Sequence, residues 1–443
     1  MQVILNKNEY INSLIGQQSI SNDEFRFLKF SLILDVKTSK LIYNLLTKEL
    51  LMLEDYEFNS IGKNNHLTNY LIQNWFLVSK DFNDFNFYTQ VFQVFKNLEN
   101  EEIRNYTVVT TTECNARCYY CYQYGTPKMS MNTSLAYDIS KFFLNNYIGK
   151  RIHISWFGGE PLYNINPINI IADELNNKNV EFDSSIITNG YLFDEKLIKS
   201  AVDTWHLKKA QITLDGTADK YRIIKNYINN DNNPFNTVVD NIYRLTENEV
   251  KVVIRINLGV HNIDDVYELT YYLIEKFANN KFISVYPRLL FENVGLIPKI
   301  NTENENNILY TVLDDIENIL IQNKLFSLKP LTNGFKSHAC MTDSRDSLVI
   351  APNGNLAKCE NLIEKNICGN IYEGITDITE IEHLSQRIFF DKCYDCPILP
   401  NCIILSKCPT QTIECHNYEQ EFKIRKIKQR MKLTCDIFNS RKT

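Results

Sequence analysis

Residues 106–121 read YTVVTTTECNARCYYC. The β-branched and aromatic run at 106–112 predicts a strand, and the loop that follows it carries Cys114, Cys118 and Cys121. Three thiolates leave the fourth iron of a four-iron cluster open, just as a catalytic zinc site keeps one ligand position open. A structural zinc site would want a fourth cysteine or a histidine. The spacing therefore favours a reactive iron–sulfur cluster over a structural zinc loop.

The remaining cysteines are also clumped. None of the 12 cysteines precedes Cys114, and nine lie between Cys340 and Cys435. Cysteines in a reducing compartment are metal ligands or reactive thiols more often than disulfides. Their grouping predicts discrete metal sites.

Downstream of residue 106, short β-rich runs alternate with amphipathic helical stretches. The predicted strands are 106–112, 151–157, 181–189, 209–215, 250–258 and 282–291, and the predicted helices include 134–147, 194–202, 264–278 and 303–323. This alternation indicates a parallel sheet, and six βα units are too few to close an eightfold barrel. We predict an α/β fold with a partial (β/α)6, TIM-like barrel, whose site lies at the C-terminal ends of the strands.

The barrel is predicted to be one of several regions of the chain. The expected divisions are a small N-terminal α+β domain (1–100), the barrel (101–328), a Cys-rich domain (329–420) and a basic C-terminal helix (421–443). In the first region, residues 30–53 suggest paired strands leading into a helix, and residues 81–97 suggest a further helix. Short segments rich in cysteine, asparagine and proline after residue 325 are typical of a small domain held together by metal.

Composition argues against two classes of partner. The 47 basic and 53 acidic residues give a net charge of -6, which offers no general attraction for nucleic acid. The apolar runs are shorter than the roughly 18 residues that a membrane span needs, and the N-terminus lacks a hydrophobic signal segment. We therefore expect a cytoplasmic protein without nucleic-acid or membrane partners. The basic stretch 423–432 is expected to be the solvated face of a helix, with docking of an acidic peptide as the alternative.

A second motif supports the cluster. Residues 156–161 read WFGGEP and follow the second predicted strand. Together with the CxxxCxxC loop and the aromatic Tyr120 before its last cysteine, this segment resembles the radical S-adenosylmethionine (SAM) superfamily. The resemblance implies that Tyr120 lies in the cofactor site and that the backbone of Gly158 and Gly159 and the carboxylate of Glu160 hold the SAM amino group. Taken alone, the segment could be an ordinary turn.

Further strand-end residues match the same resemblance. Thr188 and Asn189 close the third strand where family members contact the SAM ribose, and Arg255 and Asn257 lie in the fifth where relatives bind SAM. Ordinary polar residues at strand ends are the alternative. The implied reaction passes an electron from a reduced 4Fe-4S cluster to SAM, which yields methionine and a 5′-deoxyadenosyl radical that abstracts hydrogen from the substrate. The cofactor would supply the chemistry, and the protein would position the substrate.

The C-terminal cysteine order resembles the SPASM domain, which carries auxiliary iron–sulfur clusters of the 4Fe-4S type in peptide- and protein-modifying enzymes. The resemblance implies that auxiliary cluster I is held by Cys340, Cys359 and Cys408, and auxiliary cluster II by Cys393, Cys396, Cys402 and Cys415. Five residues, where the family usually has three, separate Cys402 from Cys408. A zinc ribbon is the competing interpretation.

Three details of this region stay open. Cluster I lacks a fourth thiolate, because Gly334, Phe335 and His338 stand where relatives have an extra cysteine. Either its fourth iron is open to a substrate thiolate, or Cys368 or another side chain binds it. Cys435 is expected to be an unligated thiol.

Glu360 follows Cys359 directly and stands where related sulfatase-maturing enzymes have an acidic residue proposed as a base. A carboxylate beside a cluster in a closed site can accept a proton. A solvent-facing glutamate is the alternative.

The leading functional hypothesis is a radical SAM maturase that forms a thioether or carbon–carbon crosslink in a ribosomally synthesised peptide. Its partners would be the precursor peptide and an electron donor such as flavodoxin or ferredoxin. The first hundred residues resemble the leading segments of such maturases and could hold a leader peptide by strand addition. The alternatives are a formylglycine-generating sulfatase maturase and a non-catalytic electron-transfer protein. The long N-terminal region disfavours the sulfatase maturase. The GGE motif disfavours the electron-transfer protein, which would have no need to bind SAM.

Overall fold

The structure is a computed structural model. It describes residues 1–16, 18, 24–63, 65–99, 102–229, 232–290, 303–335, 337–338, 340–361, 363–387, 389–402 and 417–441.

The N-terminal region is a mixed α/β unit built on a four-stranded antiparallel sheet. Its elements are β1 (Gln2–Leu5), α1 (Glu9–Ile15), β2 (Phe25–Phe27), β3 (Ser31–Val36), β4 (Ser39–Asn44), β5 (Leu50–Glu54), α2 (Asp55–Phe58), α3 (Asn65–Gln73), β6 (Leu77–Ser79) and α4 (Asp84–Asn97). The sheet order is β1-β5-β4-β3, and β2 pairs with β6 separately. The predicted helix at 81–97 is confirmed as α4.

The helix expected at the end of residues 30–53 is wrong, because β5 occupies that place. The Asn44 side chain accepts hydrogen bonds from the backbone of Leu46 and Thr47 at 2.9 and 3.1 Å, and Lys48 adopts a left-handed φ of 64°. These features make a tight turn that folds β5 back onto β4. Both faces of β5 are largely buried, so its apolar residues lack the alternation that marks a half-exposed strand.

The central region is the predicted partial barrel. Its strands are β7 (Asn105–Thr111), β8 (Ile152–Gly158), β9 (Phe182–Thr188), β10 (Leu207–Thr213), β11 (Lys251–Leu258) and β12 (Ile283–Leu289). They are parallel and stand in sequence order. Its helices are α5 (Thr133–Asn146), α6 (Asn166–Asn177), α7 (Glu195–Asp203), α8 (Ala218–Lys225), α9 (Pro234–Glu247), α10 (Ile263–Phe277) and α11 (Glu303–Gln322). The α/β fold class and the six predicted strands are confirmed.

The two faces of this sheet differ in chemistry. The side chains that pack against the helices are apolar and fully buried, among them Ile154, Ile186, Ile212 and Ile254. Their neighbours along each strand are polar and half-buried: His153, Ser185, Gln211 and Arg255. Period-two alternation therefore gives the barrel an apolar outer face and a polar inner face.

The C-terminal region extends the barrel sheet. Its elements are β13 (Ser347–Ile350), β14 (Asn355–Ala357), β15 (Ile367–Asn370), β16 (Gly374–Ile375), α12 (Ile378–Ser385), α13 (Asn417–Ser440) and 3-10 turns at Asp391–Cys393 and Leu399–Asn401. β13 pairs with β7 in parallel, and β14 to β16 follow as antiparallel strands. The barrel and the cysteine-rich segment consequently share one sheet, while the predicted domain limits remain predictions.

The two ends of the chain share a second hydrophobic core. Tyr43 of β4 and Tyr88 of α4 belong to the same buried cluster as Leu399, Met431 and Cys435. Cys435 lies in the apolar interior of this cluster, which fits the expectation of an unligated thiol.

The basic stretch 423–432 lies on α13. We expected it to be a solvated face, but some of its side chains pair with other parts of the chain. The Lys426 ammonium lies 2.5 Å from Asp314 and 2.6 Å from Glu317, both on α11. Arg430 donates to the carbonyl oxygen of Lys329 at 2.9 Å. The acidic partner of this stretch is therefore, at least in part, α11 of the same chain.

A search of the described helices for one long and apolar enough to cross a membrane finds none.

We expect Met431→Ala to lower the free energy of unfolding by about 2–5 kcal/mol, because it leaves a cavity in the core that joins the chain ends. The exposed neighbour Lys432→Ala is the control, with an expected change within about 0.5 kcal/mol. Denaturant unfolding followed by fluorescence measures both. Equal stability of the two variants would contradict the shared core.

Candidate active site

The GGE segment lies directly against the chain that leads from β7 into the cysteine loop. Gly159 donates its backbone N–H to the Thr111 carbonyl, and Glu160 donates to the Glu113 carbonyl, both at 2.9 Å. A Cβ on Gly159 would stand 2.4 Å from the Glu113 oxygen and 2.6 Å from that of Thr112. Only glycine permits this approach, so the two predicted motifs form one unit.

Glu160 is fully buried beneath this contact. Its carboxylate accepts hydrogen bonds from the Thr188 hydroxyl at 2.6 Å and from the backbone N–H groups of Asn189 and Leu162 at 2.7 and 3.0 Å. Burial raises the pKa of Glu160 to about 7, although these hydrogen bonds oppose the rise. A buried carboxyl that titrates near neutrality is suited to receive the cationic amino group of a ligand.

The end of β9 also contacts the cysteine loop. Asn189 donates from Nδ2 to Asn115 Oδ1 at 2.7 Å, and the same nitrogen lies 3.9 Å from Cys114 Sγ. Thr188, Asn189 and Glu160 are thus brought together at the loop, as predicted for a SAM site. Their contacts with SAM itself stay predictions.

The three thiols of the loop line one cavity of about 540 Å³, with Tyr163 and Ile224 among the other lining residues. Burial, reinforced by neighbouring negative charges such as Glu160, raises the pKa of Cys114 to about 12, and burial raises that of Cys118 to about 11. The pKa of Cys121 is raised by burial as well. Three thiolates buried close together are stable only beside a positively charged partner, and iron would supply that charge.

These residues fit a three-cysteine iron–sulfur cluster in donor chemistry and in available space. Over the described ranges, however, no three Cys, His, Asp or Glu side chains stand close enough to bind a single metal ion. The ligand assignments therefore stay predictions.

A buried ion pair, Asp215 with Lys225, contacts Tyr120 of the cysteine loop, and the sequence did not reveal it. Tyr120 donates its hydroxyl to Asp215 at 2.5 Å, and the Lys225 ammonium lies 2.7 Å from the same carboxylate and 3.0 Å from the Tyr120 oxygen. Burial, together with the negative charge of Asp215, raises the pKa of Tyr120 well above its ordinary value. Asp215 lies two residues beyond the end of β10, and this position near a strand end could have marked it, whereas no sequence signal singles out Lys225.

Arg255 and Asn257 join this network from β11. Asn257 donates to Asp215 at 2.7 Å and accepts from Arg255 Nε at 2.8 Å. The two predicted SAM contacts therefore support the tyrosine of the cysteine loop through Asp215. Their direct contacts with SAM stay predictions.

Tyr122 connects the cysteine loop to the C-terminal cysteines. Burial raises its pKa well above the ordinary value, and the charges of Glu360, Cys121 and Cys359 add to the rise. The residue is nevertheless 40% exposed. Since the charges of Glu360 and Cys359 act on Tyr122, these two residues lie near the cysteine loop.

Burial raises the pKa of Glu360. Its Oε2 atom is buried and has no hydrogen-bond partner among the described residues. A buried carboxyl with an unsatisfied oxygen is available for proton transfer. The buried Oε2 favours the predicted catalytic role of Glu360 over the solvent-facing alternative, and that role stays a prediction.

The predicted ligands of auxiliary cluster I lie in different surroundings. Cys340 is exposed, Cys359 is buried, and the two are close enough for charge on Cys340 to raise the pKa of Cys359, after the larger effect of burial. Cys368 is fully buried in the apolar core of the barrel, with Sγ 3.4 Å from the Leu356 carbonyl. This position disfavours Cys368 as the missing ligand. Cys408 lies outside the described residues.

The predicted ligands of auxiliary cluster II are partly described. Cys393, Cys396 and Cys402 line one cavity of about 320 Å³. Gln420 of α13 donates to Cys396 Sγ at 3.3 Å. The shared cavity fits a cluster on these thiols, while Cys415 lies outside the described residues.

The central part of the chain matches a known family. Residues 108–271 fit the sequence profile of the radical SAM superfamily. This range includes the cysteine loop, the GGE segment, Asp215 and Lys225. The match confirms the resemblance that the two motifs predicted.

Two relatives extend over more of the chain. The protein is 23% identical to the radical SAM cyclopropyl synthase TigE of Paramaledivibacter caminithermalis over 408 residues, or 82% of this chain and 81% of TigE. It is 26% identical to an uncharacterized protein of Methanocaldococcus jannaschii over 263 residues, or 59% of this chain and 86% of that protein.

Two solved structures share the fold. anSMEcpe with bound AdoMet superposes with a TM-score of 0.59 at 15% identity, covering 76% of this chain and 99% of that chain. SuiB of Streptococcus suis, bound to the precursor peptide SuiA, superposes with a TM-score of 0.51 at 14% identity, covering 85% of this chain and 94% of that chain.

We expect Gly159→Ala to remove most of the iron bound by the cysteine loop, because the added methyl group would force the GGE segment off Glu113. Gly334→Ala is the control, since a Cβ there meets only ordinary contact. Iron and sulfide analysis after anaerobic reconstitution measures the effect. Normal iron content in Gly159→Ala would contradict the described contact.

We expect Cys359→Ala to lose the iron of one cluster, about four atoms for the 4Fe-4S type. Cys368→Ala should retain all of it, because Cys368 faces the apolar core. The same iron analysis compares them. Loss of iron in Cys368→Ala, with the fold intact by circular dichroism, would instead identify Cys368 as a ligand.

Proposed function

Since the chain carries a radical SAM domain, we propose that it is a peptide maturase, an enzyme that cleaves SAM reductively and removes hydrogen from a ribosomally synthesised precursor peptide. The product would contain a new crosslink, either a thioether or a carbon–carbon bond. The likeness to a cyclopropyl synthase over most of the chain supports the carbon–carbon bond.

Each part of the site has a task in this proposal. Cys114, Cys118 and Cys121 would hold the SAM-cleaving cluster, and Glu160 with the GGE backbone would bind the SAM amino group. When bound, the cluster and SAM supply a hydrogen-abstracting 5′-deoxyadenosyl radical. The residues around them position the peptide and exclude water.

The second half of the reaction needs a base. A crosslink that removes two hydrogens sends one to 5′-deoxyadenosine as a hydrogen atom, and the other leaves as a proton and an electron. Glu360 would accept the proton, and the C-terminal cysteines would hold the auxiliary clusters toward which the electron leaves. The single observation that carries the proposal is that Glu360 and Cys359 lie near enough to Tyr122 of the cysteine loop for their charges to add to the rise of its pKa, after the larger effect of burial.

The N-terminal unit supports a peptide as the substrate. β3 is an outer strand of the four-stranded sheet, and an extended leader peptide could add to it through backbone hydrogen bonds. SuiB, which shares the fold, was solved with its precursor peptide. A flavodoxin or ferredoxin would supply the electron, and such a partnership suits a cytoplasmic enzyme.

A sulfatase maturase is the second candidate. The observation that favours it is the position of Glu360 directly after Cys359, where sulfatase-maturing enzymes have an acidic residue proposed as a base. A non-catalytic electron-transfer protein, the third hypothesis, does not fit the radical SAM domain and its catalytic relatives.

The test is anaerobic co-expression with a short peptide encoded beside the gene, followed by high-resolution mass spectrometry of the peptide. We expect a loss of two hydrogens per crosslink, and no loss with Cys118→Ala. An unchanged peptide mass, from protein that still forms 5′-deoxyadenosine, would contradict the peptide proposal and favour sulfatases as substrates.

We expect Glu360→Gln to lower the yield of crosslinked peptide by about a hundredfold, the low end of the usual effect of a general base, without lowering 5′-deoxyadenosine formation. Glu364→Gln, an exposed carboxylate on the same segment, is the control and should leave both unchanged. Single-turnover assays measure the two products. Equal loss of both products in Glu360→Gln would contradict a role as base.

A further inference from the structure

A buried ion pair lies under the cysteine loop. Lys225 and Asp215 are 3% and 1% exposed, and their charged atoms are 2.7 Å apart. The Tyr120 hydroxyl closes a triangle with them, and Asn257 donates to the second oxygen of Asp215 at 2.7 Å. Burying two charges is costly unless they are paired and hydrogen-bonded, and here both conditions are met.

The backbone of the same lysine holds the cysteine loop. The Lys225 carbonyl accepts a hydrogen bond from the Arg117 N–H at 2.8 Å and lies 3.9 Å from Cys118 Sγ. Three residues further on, Ile228 donates its N–H to the Asn115 carbonyl at 2.9 Å. The end of α8 is therefore fixed to the loop on both sides, and the ammonium has a defined place beneath it.

The two charges of the pair are not equivalent toward the cysteine loop. The carboxylate of Asp215 is compensated by three donors, the Lys225 ammonium, the Tyr120 hydroxyl and Asn257 Nδ2, whereas the backbone of Lys225 itself contacts Cys118. Burial has the largest influence on the pKa of Cys118, and after it the charge of Lys225, which lowers that pKa, outweighs the charge of Asp215, which raises it. Because Lys225 is buried, solvent screens its charge little.

A positive charge beside an iron–sulfur cluster favours its reduced form, because reduction adds a negative charge. In the step concerned, one electron leaves a flavodoxin- or ferredoxin-type donor and enters the cluster. The donor is oxidised, the cluster is reduced, and no bond forms or breaks.

We propose that Lys225 is a positioning residue that eases the one-electron reduction of the cluster on Cys114, Cys118 and Cys121, with Asp215 and Tyr120 holding its ammonium in place. The inference rests on the proposed function, because it requires a cluster on these cysteines.

The test is an anaerobic redox titration of the reconstituted full-length protein, followed by electron paramagnetic resonance. The relevant signal is the one that Cys118→Ala removes. At the potential where half of the wild-type cluster is reduced, we expect Lys225→Met to lower the reduced-to-oxidised ratio about tenfold, equivalent to about 59 mV for one electron. Lys225→Arg should stay close to the wild type, and so should Lys220→Met, which removes an exposed charge from the same helix.

Asp215→Asn separates an electrostatic role from a structural one. It leaves the ammonium without its counter-ion, so the reduced-to-oxidised ratio should rise, opposite to the effect of Lys225→Met. A merely structural ion pair would move both variants in the same direction. The inference would be overturned if the reduced-to-oxidised ratio moved in the same direction in Lys225→Met and Asp215→Asn, or if it changed by less than twofold in variants with full iron content. Either result would leave the proposed function standing.

A double variant replaces Lys225→Met if that single variant loses its iron. If Lys225→Met does not retain the cluster, the double variant Lys225→Met/Asp215→Asn avoids an unpaired buried charge, and its ratio should lie below that of the wild type. A ratio equal to or above the wild-type value would overturn the inference. Wild-type protein that assembles no signal sensitive to Cys118→Ala would overturn the proposed function together with the inference.

Discussion

Two backbone hydrogen bonds, from Gly159 to Thr111 and from Glu160 to Glu113, tie the end of β8 to the chain that carries the cysteines. The approach is so close that a single methyl group on Gly159 would break it. Because β7 and β8 are neighbouring parallel strands, their C-terminal ends meet at the same edge of the sheet. Glu160 and the cysteine loop thereby acquire a fixed distance from each other through the backbone.

Side chains from the following strands extend this arrangement. Asn189 at the end of β9 holds Asn115, and Asp215 after β10 holds Tyr120. Asn257 of β11 in turn holds Asp215. Successive strand ends therefore each contribute a hydrogen bond to the support of one loop, which explains why a site assembled from distant sequence positions can be rigid.

The sequence allowed the barrel to be predicted because β-branched runs and amphipathic helices alternate with a clear period. It misled at β5, whose two faces are both buried and whose apolar residues therefore show no alternation. The cysteine loop and the GGE segment could be found because their chemistry needs particular residues at particular spacings. Lys225 could not be found, because its partners Tyr120 and Asp215 come from separate elements, 105 residues away in the case of Tyr120. The supporting role of Arg255 and Asn257 depends on the same tertiary contact and was likewise invisible.

The most direct test of the account is whether the anaerobically reconstituted protein, given a reductant and SAM, releases 5′-deoxyadenosine and methionine. The account predicts equal amounts of both from the wild type and none from Cys118→Ala, because the cysteine loop locked against the GGE segment would hold the cluster and SAM together. Iron-replete wild-type protein that releases neither product, with or without candidate peptides, would contradict it.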